Sequence, residues 1–195
     1  MGKRLFIEDD FPKDNEVYLF MVRSYNPLGR IIRFFLWIKQ KVLRKQSRDL
    51  YNHADLCIMQ NTVVGTTARG VLIRSIGATY GDGKRKEIKV FMVPMDDLMK
   101  FTLINWCLDQ SGKRYEYVNI FQHLWRILYI ILYGREKWIG HTQKHAQDRY
   151  YCSEFVSTAI TIGLEGFSLT PWDDDPMDLL ELAEKKLPYV KDIRL

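Results

Sequence analysis

Apolar positions in the first half of the chain come in short blocks separated by turn-forming residues. Residues 16–23 (EVYLFMVR) predict a short apolar strand, and NPLG at 26–29 predicts a turn leading into a helix start. Residues 30–46 (RIIRFFLWIKQKVLRKQ) read as a basic helix. Ile31, Phe34, Phe35, Ile38, Val42 and Leu43 roughly hold one face, while Arg30, Arg33, Lys41, Arg44 and Lys45 lie elsewhere. That helix is expected to dock with its aromatics in the core and its charges in water; a membrane surface or an anionic partner is the other use of such a composition. Residues 53–60 (HADLCIMQ), 71–79 (VLIRSIGAT) and 87–93 (EIKVFMV) predict three strands, separated by a polar turn, NTVVGTTARG, and by GDGK at 81–84. Together they suggest an antiparallel meander. From Pro94 the pattern predicts a helix to residue 110, stopped by Ser111-Gly112. KRYEYVN is a connector, 120–133 an apolar helix and GREKWIGHTQKHAQDR a polar loop; helices follow over 151–162 and from Pro176 to Lys186. Strands early and helices late imply an α+β fold.

A chain of 195 residues, 47% apolar and 13% aromatic, fits one domain over 1–195 with a sizeable core. The net charge of +5 permits an anionic partner without requiring one. Three cysteines, Cys57, Cys107 and Cys152, match neither CxxC nor a zinc spacing, and their odd number leaves at least one thiol unpaired within the chain. This points to a reducing compartment. The N-terminus lacks the apolar stretch of a signal peptide, Phe6 stands where a myristoylation pattern needs Ser or Thr, and ILYIILYG at 127–134 is far short of the ~20 residues of a membrane span. A cytoplasmic protein is expected, released by lysis if its origin is a phage or virus. GDGK lacks P-loop spacing and no RNA-binding or zinc pattern is present, so neither a cofactor nor a specific nucleic-acid partner is expected.

The chemistry concentrates in DRYYCSEFVSTAITIG, 148–163. Cys152, Phe155, Val156, Ala159 and Ile160 fall on one helical stripe, with the cysteine in the first turn. Unpaired backbone N–H groups and the positive end of the helix dipole favour thiolate over thiol at such a position. The same position also suits an inert core cysteine. Four histidines are candidate bases. His53 opens a strand, whereas His123 sits in an apolar helix beside Trp125 and reads as packing. His141 and His145 have the HxxxH spacing of zinc ligands but no accompanying glutamate and no third ligand, so a solvated loop is expected there and no metal. Glu154 suits the helix start by its charge, and Cys57 and Cys107 read as packing residues.

NHADLCI together with YYCSEFVSTAI resembles the permuted NlpC/P60 group of papain-like proteins, which includes YiiX-type amidases, poxvirus homologues and lecithin-retinol acyltransferase relatives. The histidine strand comes early and the cysteine helix late, the reverse of papain. GKRYEYVNIF at 112–121 is similar to the family's glycine–tyrosine connector, and LTPWDDDPMDL at 169–179 to its segment after the helix. The resemblance covers residues 16–180, with 30–46 as a basic helical insertion. It implies a central antiparallel sheet packed against helices, including the Cys152 helix. It further implies thiolate attack on a carbonyl carbon by Cys152 with His53 as base, and an oxyanion site that includes the Cys152 N–H. The family's third polar residue falls near Ser75, whose hydroxyl can accept from the imidazole; Arg74 has no acceptor. Asp55, two residues from His53 and so on the same strand face, is the alternative, unless it is a plain surface aspartate.

The expected function is a thiol hydrolase that cleaves an amide, peptide or isopeptide bond through a Cys152 thioester. Two other readings stay open: a lipid-ester hydrolase or acyltransferase with the same first half-reaction, and a degenerate module that binds a lipid or peptide. Its partners would be a peptide, amide or acyl-lipid substrate, and an anionic membrane surface through residues 30–46.

Overall fold

A computed structural model describes residues 11–12, 14, 16–42, 50–115, 125, 128–129, 132–133, 149–168 and 174–195. His123, His141 and His145 lie outside the described residues, as does most of the expected 120–133 helix, of which Trp125, Leu128, Tyr129, Leu132 and Tyr133 are helical.

The architecture is α+β, built on a six-stranded sheet in the order β4-β3-β2-β1-β5-β8, every neighbouring pair antiparallel. Its strands are β1 (Val17–Ser24), β2 (His53–Met59), β3 (Thr62–Thr67), β4 (Gly70–Ser75), β5 (Lys86–Val93) and β8 (Tyr189–Arg194). Two short strands, β6 (Arg114–Tyr115) and β7 (Arg149–Tyr150), pair in parallel beside it. The helices are α1 (Pro27–Val42), α2 (Ile76–Tyr80), α3 (Asp97–Gln110), α4 (Cys152–Gly163) and α5 (Pro176–Lys186).

Three boundaries differ from the sequence reading, each for a local reason. The NTVVGTTARG segment contains β3; its Thr and Gly residues look turn-like, but Val63 and Val64 are completely buried. The expected strand 71–79 ends at Ser75, whose side chain accepts from the Ala78 N–H (3.1 Å) and caps α2. Helix α3 starts after Asp96, which accepts from the Met99 N–H (2.8 Å), and not at Pro94.

Alternation along the strands gives the sheet two apolar faces. Leu19, Met21, Ala54, Leu56, Ile58 and Val64 form the main core with Leu103 and Cys107 of α3, Phe155, Val156 and Ile160 of α4, and Leu179 and Leu180 of α5. The opposite face carries Tyr18, Phe20, Cys57, Val63 and Val90, closed over by Phe11 and by Ile76 and Tyr80 of α2. Buried on both sides, the central strands read as continuous apolar runs.

Helix α1 corrects the sequence reading most clearly. Its inward stripe is Gly29, Ile32, Leu36, Lys39 and Gln40, with Lys39 only 6% exposed, whereas Ile31, Phe34 and Trp37 are 52%, 56% and 40% exposed. Phe34 and Trp37 face water and a lysine faces in. That lysine donates to Asp175 (2.8 Å) and Asp178 (3.1 Å) at the start of α5. Burial works against its charge, but the two carboxylates hold its pKa above the ordinary lysine value.

Candidate active site

The end of the sheet where β2 begins is held by the chain on either side of the nucleophile candidate. After α3, Lys113 accepts from the Val71 N–H (2.8 Å) and Gly112 donates to the Val71 carbonyl (2.9 Å), which lashes this segment to β4. Gly70, at φ +108°, makes the close approach feasible, since a Cβ there would stand 2.1 Å from the Lys113 carbonyl oxygen. β6 then pairs with β7, which leads through Tyr151 into α4. Tyr150 packs edge-on against Trp106 and Phe155, and its hydroxyl donates to Gln110 (3.1 Å). The backbone that leads into Cys152 is thereby tied to the sheet.

Cys152 is the first residue of α4 and is 7% exposed. Glu154, 4% exposed, accepts from the Tyr151 N–H (3.4 Å), so its side chain closes the helix start. The Tyr151 hydroxyl donates to the Asp174 carbonyl (3.2 Å), tying the same start to the α5 entry.

His53 opens β2 and keeps 26% of its side chain exposed. Its Nε2–H donates to Asp55 Oδ1 (3.1 Å), and the Cys152 side chain lies close enough to the ring to favour its protonated form. With Nε2 committed to Asp55, Nδ1 is the nitrogen left for the thiol proton. Asp55 and His53 share one side of β2, while α4 packs on the other side, against Ala54 and Leu56. The cysteine and the histidine therefore meet at the end of the sheet, where α4 and β2 both begin.

Asp55 is almost completely buried (1% exposed) and accepts two further hydrogen bonds, from Arg74 Nη2 (3.1 Å) and from the Tyr80 hydroxyl (2.8 Å). Burial alone would push its pKa up, but the charges and hydrogen bonds of His53 and Arg74, with the Tyr80 hydrogen bond, hold it below the usual carboxylate value. Burial alone would push His53 down, yet the facing Asp55 carboxylate, with its hydrogen bond, and Cys152 raise the imidazole to about 10. Burial beside the carboxylate keeps Tyr80 well above its ordinary value, so it acts as a donor only. Gly65 stands opposite Asp55 on β3, where a Cβ would lie 1.8 Å from Oδ1. The carboxylate fits because that residue has no side chain.

Of the sequence candidates, Cys152, His53 and Asp55 come together. Ser75 does not: it is exposed at the far end of β4, and its hydroxyl is occupied as the α2 cap. The group bonded to the ring is Asp55, the alternative, and it is not a surface aspartate. Arg74, which has no acceptor for the ring, enters instead as a donor to Asp55. Tyr80 and Gly65 escaped the sequence reading because one was placed just past an expected strand and the other inside an expected turn. A serine closing a strand is a helix-cap signal and would have exposed α2.

Cys57 and Cys107 are buried, and burial raises both thiols to about 12, which keeps them protonated at neutral pH. All three cysteines are free. Among the described residues, no group of histidine, cysteine and acidic side chains could hold a metal ion. A surface groove of about 340 Å³ lined by Phe167, Asp174, Asp178 and Lys185 lies along α5 and includes neither His53 nor Cys152.

No family model matches the chain, and no curated protein matches it.

Proposed function

We propose that this chain is a cysteine hydrolase of permuted papain-like architecture that cleaves an amide, peptide or isopeptide bond through a thioester on Cys152. The observation that carries this reading is the convergence of Cys152, His53 and Asp55, with the thiol on the first residue of a helix beside an imidazole that a buried carboxylate holds. Nucleophile, base and orienting acceptor in sequence are the arrangement that acyl transfer needs. The order of histidine strand before cysteine helix, on an antiparallel sheet, supports the permuted architecture. Three free thiols suit a reducing compartment.

In this mechanism the resting pair is thiolate and imidazolium, His53 Nδ1 already holding the proton that Cys152 has given up, and the thiolate attacks the carbonyl carbon. The oxyanion that forms faces the first turn of α4, whose N–H groups lack intrahelical acceptors. His53 returns the proton to the leaving amine as the C–N bond breaks, leaving a thioester. Water, deprotonated by His53, then attacks the thioester and releases the acid and the thiol. Asp55 stays ionised throughout, fixes the ring tautomer and stabilises the imidazolium. Arg74 and Tyr80 fix Asp55.

The test is iodoacetamide labelling across pH with mass-spectrometric assignment, followed by p-nitrophenyl acetate as a generic acyl donor. Cys152 is expected to label far faster than Cys57 and Cys107 near neutral pH, to lose that advantage in His53→Ala, and to carry the acetyl group during turnover. Labelling of Cys152 no faster than the two buried thiols, or unchanged in His53→Ala, overturns the reading.

A further inference from the structure

A helix docked on a globular domain ordinarily turns its apolar stripe inward, because that is where burial stabilises. Helix α1 does the reverse. Its inner side is held by Leu36 and by the buried Lys39–Asp175–Asp178 cluster. Its outer side presents Ile31, Phe34 and Trp37, all exposed, with the Phe34 and Trp37 rings stacked at 6.2 Å. These apolar positions are flanked by cations. Arg30 and Lys41 are exposed on the same stripe, and Lys41 lies over the Trp37 ring at 4.9 Å. Around Tyr25, just before the helix, Arg23, Arg33 and Arg85 surround one ring at 5.4, 4.6 and 4.5 Å. Glu87 accepts from Arg23, Arg85 and Tyr25. Helix α1 itself contains no acidic residue.

We infer that the outer face of α1 is a docking surface for an anionic phospholipid bilayer. The helix lies in the plane of the interface, with Ile31, Phe34 and Trp37 at the headgroup–acyl boundary and Arg30, Lys41 and the Tyr25 arginine cluster on lipid phosphates. The shape favours a bilayer over a protein groove. Three large side chains on one convex helix form a ridge, and aromatic side chains with a cationic rim are what the interface accepts. The net charge of +5 adds attraction at a distance. The association is peripheral, since no helix among the described residues is long and apolar enough to cross a membrane. The surface stands independently of the catalytic reading, because neither Cys152, His53 nor Asp55 belongs to it.

The experiment is flotation of the full chain with phosphatidylcholine vesicles, with and without phosphatidylglycerol, at low and high salt. It is run for the wild type, Phe34→Ser/Trp37→Ser and Arg30→Glu/Lys41→Glu, with sedimentation velocity in parallel. Wild type is expected to float with the anionic vesicles, to weaken with salt and to bind neutral vesicles poorly. Each double variant should lose binding by about tenfold or more. Thermal unfolding of the variants should match wild type, since all four side chains are exposed; this separates lost docking from lost folding. Failure to float with anionic vesicles at low salt overturns the inference. So does wild-type binding by the Phe34/Trp37 variant, or a wild-type dimer that this variant dissolves while vesicles capture nothing, which would make a second copy the occupant.

Discussion

Asp55 accepts hydrogen bonds from His53, Arg74 and Tyr80 while almost wholly buried, which makes it the most constrained side chain at the site. Asp55→Asn conserves its size but removes the charge, and an amide cannot accept from all three donors with the oxygen it has left. His53 then loses the main influence that raises it, so the imidazolium beside Cys152 is no longer maintained at neutral pH. Labelling of Cys152 by iodoacetamide at pH 7 is expected to fall by about 10- to 100-fold. Ser75→Ala provides the contrast. It removes the α2 cap, costing about 1 kcal/mol in urea unfolding, but leaves labelling unchanged within about twofold, because its hydroxyl bonds Ala78 and not the ring. If the two variants exchange these effects, Ser75 is the orienter after all. The same pair sets a pH dependence. His53 is raised in the folded state, so its contribution to stability is fully present below the ordinary histidine value of about 6.5. That contribution declines as pH rises and is gone above its folded value of about 10. Asp55 is lowered, so its contribution is present above the usual carboxylate value and lost as pH falls through the lower folded value. The urea-stability gap between wild type and His53→Gln should therefore narrow steadily from pH 6.5 to 10; a gap that stays constant there would mean that the folded imidazole is not raised.

At the level of elements, α1 and α4 show opposite limits of sequence reasoning. The stripe Cys152–Phe155–Val156–Ala159–Ile160 was legible because it obeys burial periodicity, and all five residues are buried. Helix α1 was legible as a helix, Pro27 opening it, but its orientation was not. Periodicity finds an apolar face and assumes that it points inward; it cannot see that Asp175 and Asp178, more than a hundred residues away, offer two carboxylates to Lys39. The inner side of α1 is thus held by this ion cluster as well as by Leu36 and Ile32. Lys39→Met removes the buried cation that bridges Asp175 and Asp178 and should destabilise the protein by about 3–5 kcal/mol. Asp178→Asn should cost only about 1 kcal/mol, since Asp175 keeps its bond to Lys39 and its cap bonds to Met177 and Asp178. Urea unfolding of the two variants separates the cases. A small loss for Lys39→Met would mean that apolar contacts at Leu36 and Ile32 hold the helix instead.

Across the whole molecule, the α+β class and four of the sheet's strands were legible as apolar runs, while β3 and β8 were not. β3 (TVVGTT) carries a glycine because Gly65 must leave room for Asp55, so a demand of the site helped to disguise a strand as a turn. β8 (YVKDIR) is an edge strand with one buried residue, Ile193, and its charged positions look like a tail. Its place in the sheet order gives the last expectation. The residues that hold the His53 ring lie on and beside β2, β3 and β4 at one side, whereas β8 closes the opposite edge, with β1 and β5 between. Removing residues 188–195 deletes Ile193 from the second core, worth about 1.5–3 kcal/mol. It also strips β5 of its partners on that side: Met92 loses its bond to Pro188, and Lys86 both of its bonds to Leu195. The truncated protein should unfold at lower urea and, with a long edge exposed, associate as concentration rises in sedimentation velocity. In its folded fraction, Cys152 should still label faster than Cys57 and Cys107, and His53→Ala should still remove the difference, because β1 keeps its full pairing with β2. If the truncation silences Cys152 while the fold persists, the far edge of the sheet sets the geometry of the site, and the Asp55 cluster alone is not sufficient to hold the imidazole against the thiol.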